Sequence, residues 1–71
     1  MPESPPTVSV NGTPRDWSPG LTVAALLAER GLAPEAAATA LNGAFVARSA
    51  REHTFLQPGD ALTVFQAIVG G

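Results

Sequence analysis

The sequence predicts an α+β domain in which one main helix packs on a mixed sheet of about five strands. Three observations predict it. Two Asn-Gly pairs, Asn11-Gly12 and Asn42-Gly43, each sit between short stretches of strand character, and Asn-Gly is the strongest short hairpin signal because both residues tolerate positive φ. One well-bounded helical stretch lies between the two hairpins. A last alternating apolar stretch follows the turn residues Pro58-Gly59-Asp60. With 71 residues the chain is one domain near the lower size limit for folding alone, burying only about 60% of its extended surface. There is no cysteine, so no disulfide supplements the small core.

Three prolines among residues 1–6 mark a flexible, polyproline-like leader. Thr7-Val8-Ser9-Val10 alternates polar and apolar, the period of a half-buried strand. The return strand runs from Thr13 to Trp17. Pro14 cannot donate to a ladder, which assigns that strand to a sheet edge. Pro19-Gly20 ends it.

A helix is predicted over residues 22–30. Thr22 can act as N-cap, with Leu21 and Leu26 forming a hydrophobic staple. Val23, Leu26 and Leu27 form one apolar stripe. At the other end Gly31 suits a left-handed C′ position, and Leu32 can close a Schellman motif on Leu27. Residues 35–40 are rich in alanine, the best helix former, but Asn42-Gly43 favours a second hairpin with strands near 37–41 and 44–47. Residues 49–55 form a polar connector with room for a short helical turn. The last strand runs from Ala61 to Ala67, with Leu62 and Val64 on the helix-facing side and Thr63, Phe65 and Ala67 on the other. This order, β-β-α-β-β-β, is that of the β-grasp, or ubiquitin-like, architecture. The expected domain spans residues 7–67.

Composition excludes several classes. Four arginines, Arg15, Arg30, Arg48 and Arg51, stand against six acidic residues for a formal net charge of −2. They are scattered, which argues against a nucleic-acid face. No apolar run approaches the ~20 residues of a transmembrane helix, and the N-terminus lacks the basic and apolar regions of a signal peptide. The expected setting is cytoplasmic. His53 is the sole histidine; with no Cys, Asp or Glu cluster around it, it reads as a solvated loop residue. No residue of the chain reads as catalytic, and no metal or bound cofactor is expected.

The remaining signal is the ending, Ile68-Val69-Gly70-Gly71, expected to be a flexible reactive tail over residues 68–71. A chance Gly-Gly ending is roughly a one-in-a-hundred event at this glycine content, so it weighs as a signal. Glycines let a tail pass a slot too narrow for side chains. The Gly71 α-carboxylate is ionised at neutral pH, its ordinary pKa being about 3.3–3.7. It can attack the α-phosphate of ATP, and the acyl adenylate formed is open to a sulfur or nitrogen nucleophile. Without cysteine or lysine, any sulfur the chain handles is expected at Gly71. Phe65 and Ala67, facing away from the helix beside that tail, are the expected partner contacts.

Asn11-Gly12, Thr22-Val23 with Leu26-Leu27, Asn42-Gly43, Val46 with Arg48, Gly59-Asp60 and the ending Phe65-Gln66-Ala67-Ile68-Val69-Gly70-Gly71 resemble the ThiS family of thiamine-pathway sulfur carriers. The resemblance covers residues 7 to 71. Family members often carry a tryptophan in the connector after the position of Arg48; here the connector reads Ser49-Ala50-Arg51-Glu52-His53, and the sole tryptophan is Trp17.

The resemblance implies a carrier and co-substrate, not an enzyme. A ThiF-like adenylyltransferase would use ATP and magnesium to adenylate Gly71, reading the tail at Ile68, Val69 and Gly70. A cysteine desulfurase or other sulfur donor would then supply sulfur, and the thiazole synthase ThiG would accept it. The free chain is expected to be a monomer. Other carriers ending in Gly-Gly share fold and tail: the small subunit of molybdopterin synthase, and those serving cysteine synthesis or tRNA thiolation. The Phe-Gln-x-Ile-x-Gly-Gly ending and the short length favour thiamine. A reading of another class is a plain β-grasp interaction domain in which Gly-Gly is incidental; the chain stopping at Gly71 argues against it.

Overall fold

The computed structural model describes residues 5–66. Expectations for residues 1–4, and for Ala67, Ile68, Val69, Gly70 and Gly71, lie outside the described residues. Strands β1 (Thr7–Val10) and β2 (Thr13–Asp16) are followed by helix α1 (Val23–Glu29), strands β3 (Ala37–Leu41) and β4 (Ala44–Val46), and strand β5 (Ala61–Gln66). The sheet order is β2-β1-β5-β3-β4. Only the central β1–β5 pair is parallel; the other three are antiparallel. This is the mixed five-strand, one-helix β-grasp sheet that the element order predicts.

Both hairpins turn on their Asn-Gly pairs. Asn11 and Gly12 have φ of 52° and 85°, Asn42 and Gly43 of 49° and 85°, the paired positive angles of a type I′ turn, whose twist matches that of the strands it joins. Strand β2 lies at the sheet edge, where the missing N–H of Pro14 costs no ladder bond. It ends one residue sooner than its composition suggests, at Asp16. Trp17 leaves the strand to donate its indole N–H to the Leu56 carbonyl at 2.7 Å.

The caps of α1 follow the sequence closely. The Thr22 hydroxyl accepts the Ala25 N–H. Gly31 (φ 72°) donates to Ala28 and Leu32 donates to Leu27, the two bonds of a Schellman motif. The helical residues proper are therefore Val23 to Glu29, with Thr22 and Arg30 as the caps.

The alanine-rich stretch divides. Pro34–Ala36 forms a 3₁₀ turn, and the chain becomes strand from Ala37, which pairs with Gln66. Tertiary pairing overrides helix propensity here. The polar connector carries a second 3₁₀ segment, Arg48–His53. Between α1 and one face of the sheet lies the core, built on Val8, Val10, Leu26, Leu27, Leu62 and Val64. Leu56, between the second 3₁₀ segment and β5, completes it.

Candidate functional site

The last strand is central in the sheet, with β1 on one flank and β3 on the other, and it leads directly into the residues that the sequence marks as reactive. Its alternation decides its two sides. Leu62 is 1% exposed and packs in the core, whereas Phe65 is 58% exposed. Phe65 thus faces away from α1, as the parity of the strand predicts.

Phe65 is not alone on the open side. It pairs in register with Ala38 of β3, and Ala40, two residues on, pairs with Phe45 of β4. Phe45 is 73% exposed. Two aromatic rings therefore stand on a strip of alanines across β5, β3 and β4, with no charged side chain among these four residues. Small residues at Ala38 and Ala40 leave the strip open between the rings. Phe45 was not singled out by the sequence, although the burial of its neighbour Val46 is the period-two signal that places it outward.

Near the end of β5 the surface is concave on both sides. A groove of about 260 Å³ runs along Glu35, Ala36, Ala37, Ala38, Phe65 and Gln66. Another, of about 480 Å³, lies on the helix side between the C-terminal end of α1 and β5, lined by Asn11, Glu29, Arg30, Leu32, Val64 and Gln66. Gln66 lines both grooves.

Long-range polar contacts hold the frame around that point. Arg51 is 4% exposed and donates from its two terminal nitrogens to the carbonyls of Pro34 and Ala37. Ala37 is the residue that pairs with Gln66, so this guanidinium fixes the start of β3 opposite the end of β5. The Nε of Arg51 is buried without a hydrogen-bond partner. On the far side, Arg15 of β2 grips Glu29 of α1 through two bonds of 2.7 Å. That bidentate hydrogen bond holds the Glu29 carboxyl below its ordinary value and raises Arg15.

Thr39, fully buried, donates its hydroxyl to the Val46 carbonyl and so carries no free polar group. His53 is exposed in the second 3₁₀ segment. Among the described residues no group of three or more His, Cys, Asp or Glu gathers in a way that could hold a metal ion. No helix among them is long and apolar enough to cross a membrane.

Comparison with known proteins gives a consistent outcome. The family model that matches is that of the ThiS family, over residues 8–71. The chain is similar to a crystal structure of the thiamine biosynthesis protein ThiS from Geobacter metallireducens, at 31% identity and a TM-score of 0.73, covering 92% of this chain and 99% of that one. It is also similar to a solution NMR structure of a thiamine biosynthesis protein from Geobacter metallireducens, at 32% identity and a TM-score of 0.74, covering 92% of this chain and 87% of that one. No curated protein matches.

Proposed function

The chain belongs to the ThiS family, and we propose that it is a sulfur carrier of thiamine biosynthesis whose Gly71 carboxylate becomes a thiocarboxylate. The family match over residues 8–71, which takes in the Gly-Gly ending, carries this reading. A carboxylate oxygen of Gly71 attacks the α-phosphorus of ATP on a ThiF-like adenylyltransferase, and pyrophosphate leaves. Magnesium on that enzyme offsets the phosphate charge. A persulfide sulfur on a desulfurase-fed relay then attacks the acyl carbon and AMP leaves; a second relay thiol cleaves the resulting acyl disulfide, forming a disulfide with the relay sulfur and releasing the terminal thiocarboxylate. A thiazole synthase of the ThiG kind takes that sulfur, which regenerates the Gly71 carboxylate.

This chain's own part is to be held and to be threaded. The strip from Phe65 to Phe45 offers a partner an apolar, uncharged surface of the type that marks interaction sites. Residues 68–71, when extended, reach about 13 Å. A partner seated on the strip must therefore keep its reactive centre within that distance, and docking and chemistry are coupled. Glycines at 70 and 71 fit a channel whose walls a Cβ would meet.

The test is to incubate the chain with a ThiF-like adenylyltransferase, ATP, magnesium and a sulfur donor, and to map any gain in mass by fragmentation. The expected result is one oxygen replaced by sulfur at Gly71. Sulfur upstream of Gly70 would end the carrier reading.

A further inference from the structure

The two Asn-Gly turns do more than reverse the chain. Each asparagine lies next to β5, and each makes the same pair of contacts with it. Asn11 donates its backbone N–H to the Leu62 carbonyl at 2.9 Å and accepts the Val64 N–H on its side-chain Oδ1 at 2.8 Å. Asn42 donates its backbone N–H to the Ala61 carbonyl at 2.8 Å and accepts the Ala61 N–H on Oδ1 at 2.9 Å. In a regular ladder the second bond of each pair would go to the backbone carbonyl. At φ near +50° the backbone has turned away, and the side-chain amide takes the place of its own carbonyl. An asparagine can do both, because it tolerates the left-handed region and carries an acceptor two bonds from Cβ.

The two asparagines act at different points of β5, one at its start and one in its second half. Asn42 holds its first residue, Ala61. Asn11 holds Val64, two residues beyond the last pairing of β1 with β5, which is Val10 with Leu62. On its other flank β5 is paired with β3 as far as Gln66. The end of β5 is thus tied on the β3 side by strand pairing and on the β1 side by one side chain.

We propose that Asn11 is a positioning residue for the reactive ending: by holding Val64 it sets the direction in which the chain leaves β5 towards Gly71. This rests on the carrier reading above. Losing the clasp leaves β5 free to swing about its β3 edge, which spreads the position of everything after Gln66. The consequence falls on the reaction step, because a misplacement of about 1 Å can cost about a hundredfold in rate. Phe65 keeps its pairing with Ala38 on the β3 edge about which β5 swings, and Phe45 lies on β4, so docking through them changes less than the reaction step.

Asn42 supplies the control, since it makes the same kind of bond far from the ending. Glycine at either position keeps the turn, tolerating positive φ, and deletes only the side chain. Three variants, Asn11→Gly, Asn42→Gly and Asn11→Asp, are compared with the unaltered chain in ATP–pyrophosphate exchange on a ThiF-like adenylyltransferase, with amide hydrogen exchange at Val64. For Asn11→Gly the expected result is faster exchange at Val64 and a kcat lowered about tenfold, with KM changed less than about twofold. Asn42→Gly is expected to keep kcat, and Asn11→Asp, whose carboxylate still accepts from Val64, to restore it. Equal losses of kcat in the two glycine variants, or none in Asn11→Gly, would overturn the positioning role alone. An unaltered chain that supports no exchange would overturn the carrier reading, and the positioning role with it.

Discussion

The two sides of the sheet carry different work. On the side covered by α1, Val8, Val10, Leu62 and Val64 are buried, and every one of them meets an aliphatic neighbour. On the open side, two phenylalanines stand more than half exposed on a bed of alanines. In β5 the two sides alternate residue by residue, so one six-residue strand supplies both the core and the surface beside the ending. Their contrast teaches that burial and exposed apolar surface are assigned to opposite faces of one strand: the helix side sets how firmly the strand is held, and the open side sets what it can meet.

The largest effect that should respect this separation lies beyond the domain. Gly70→Val is expected to lower adenylation by orders of magnitude, since a β-branched side chain restricts φ and fills the channel. The thermal midpoint should hardly move. Normal ATP–pyrophosphate exchange with this variant would show that the glycines are not read sterically.

The reverse separation is expected at Leu62. Removing its buried atoms in Leu62→Ala should cost about 2–5 kcal/mol. A 71-residue chain has a total stability of about 4–11 kcal/mol at typical values per residue. Denaturant melting should therefore show a large fraction of the stability gone. A loss below about 1 kcal/mol would break the contrast between the two sides.

Phe65→Ala sharpens the comparison within the same strand. Its stability cost should fall well under the roughly 3–5 kcal/mol of a buried phenylalanine, while binding to the activating enzyme or the thiazole synthase weakens by about 1 kcal/mol or more. Denaturation together with partner titration separates these. Large destabilisation without a binding defect would return Phe65 to the core.

The smallest effect is at the Arg15–Glu29 pair, whose side chains are 32% and 43% exposed. Solvent screening limits such a pair to about 0.2–1 kcal/mol. The folded-state pKa of Glu29 is lowered, first by its hydrogen bond to Arg15, so the carboxylate contributes stability above its ordinary value of 4.5. That contribution is lost as pH falls through the lower folded value. Glu29→Gln should thus be slightly less stable than the unaltered chain at pH 7 and equal to it in strong acid. A difference that grows on acidification would contradict this sign.

What was legible in the sequence and what was not divide by distance along the chain. The hairpin turns, the Thr22 cap and the Gly31 termination are signals carried by residues two to five apart, and the structure places each of them where those residues stand. The outward side of Phe65 followed from strict alternation. Arg51 was not legible: within a polar connector an arginine reads as solvated, and its burial depends on carbonyls 14 and 17 residues away. The clasp of Asn11 on Val64 spans 53 residues. Asn11 already had a local explanation as a turn residue, and nothing in the spacing announced a second task. Phe45 was missed for a milder reason, because its strand is only three residues long and alternation over three positions is a faint signal.

The most direct measurement of the central claim is the intact mass of the chain isolated from its native cell. A fraction of molecules in which one oxygen is replaced by sulfur, with the change mapped to Gly71, is the predicted result. A population carrying only the unmodified carboxylate while the cell is actively making thiamine would contradict it.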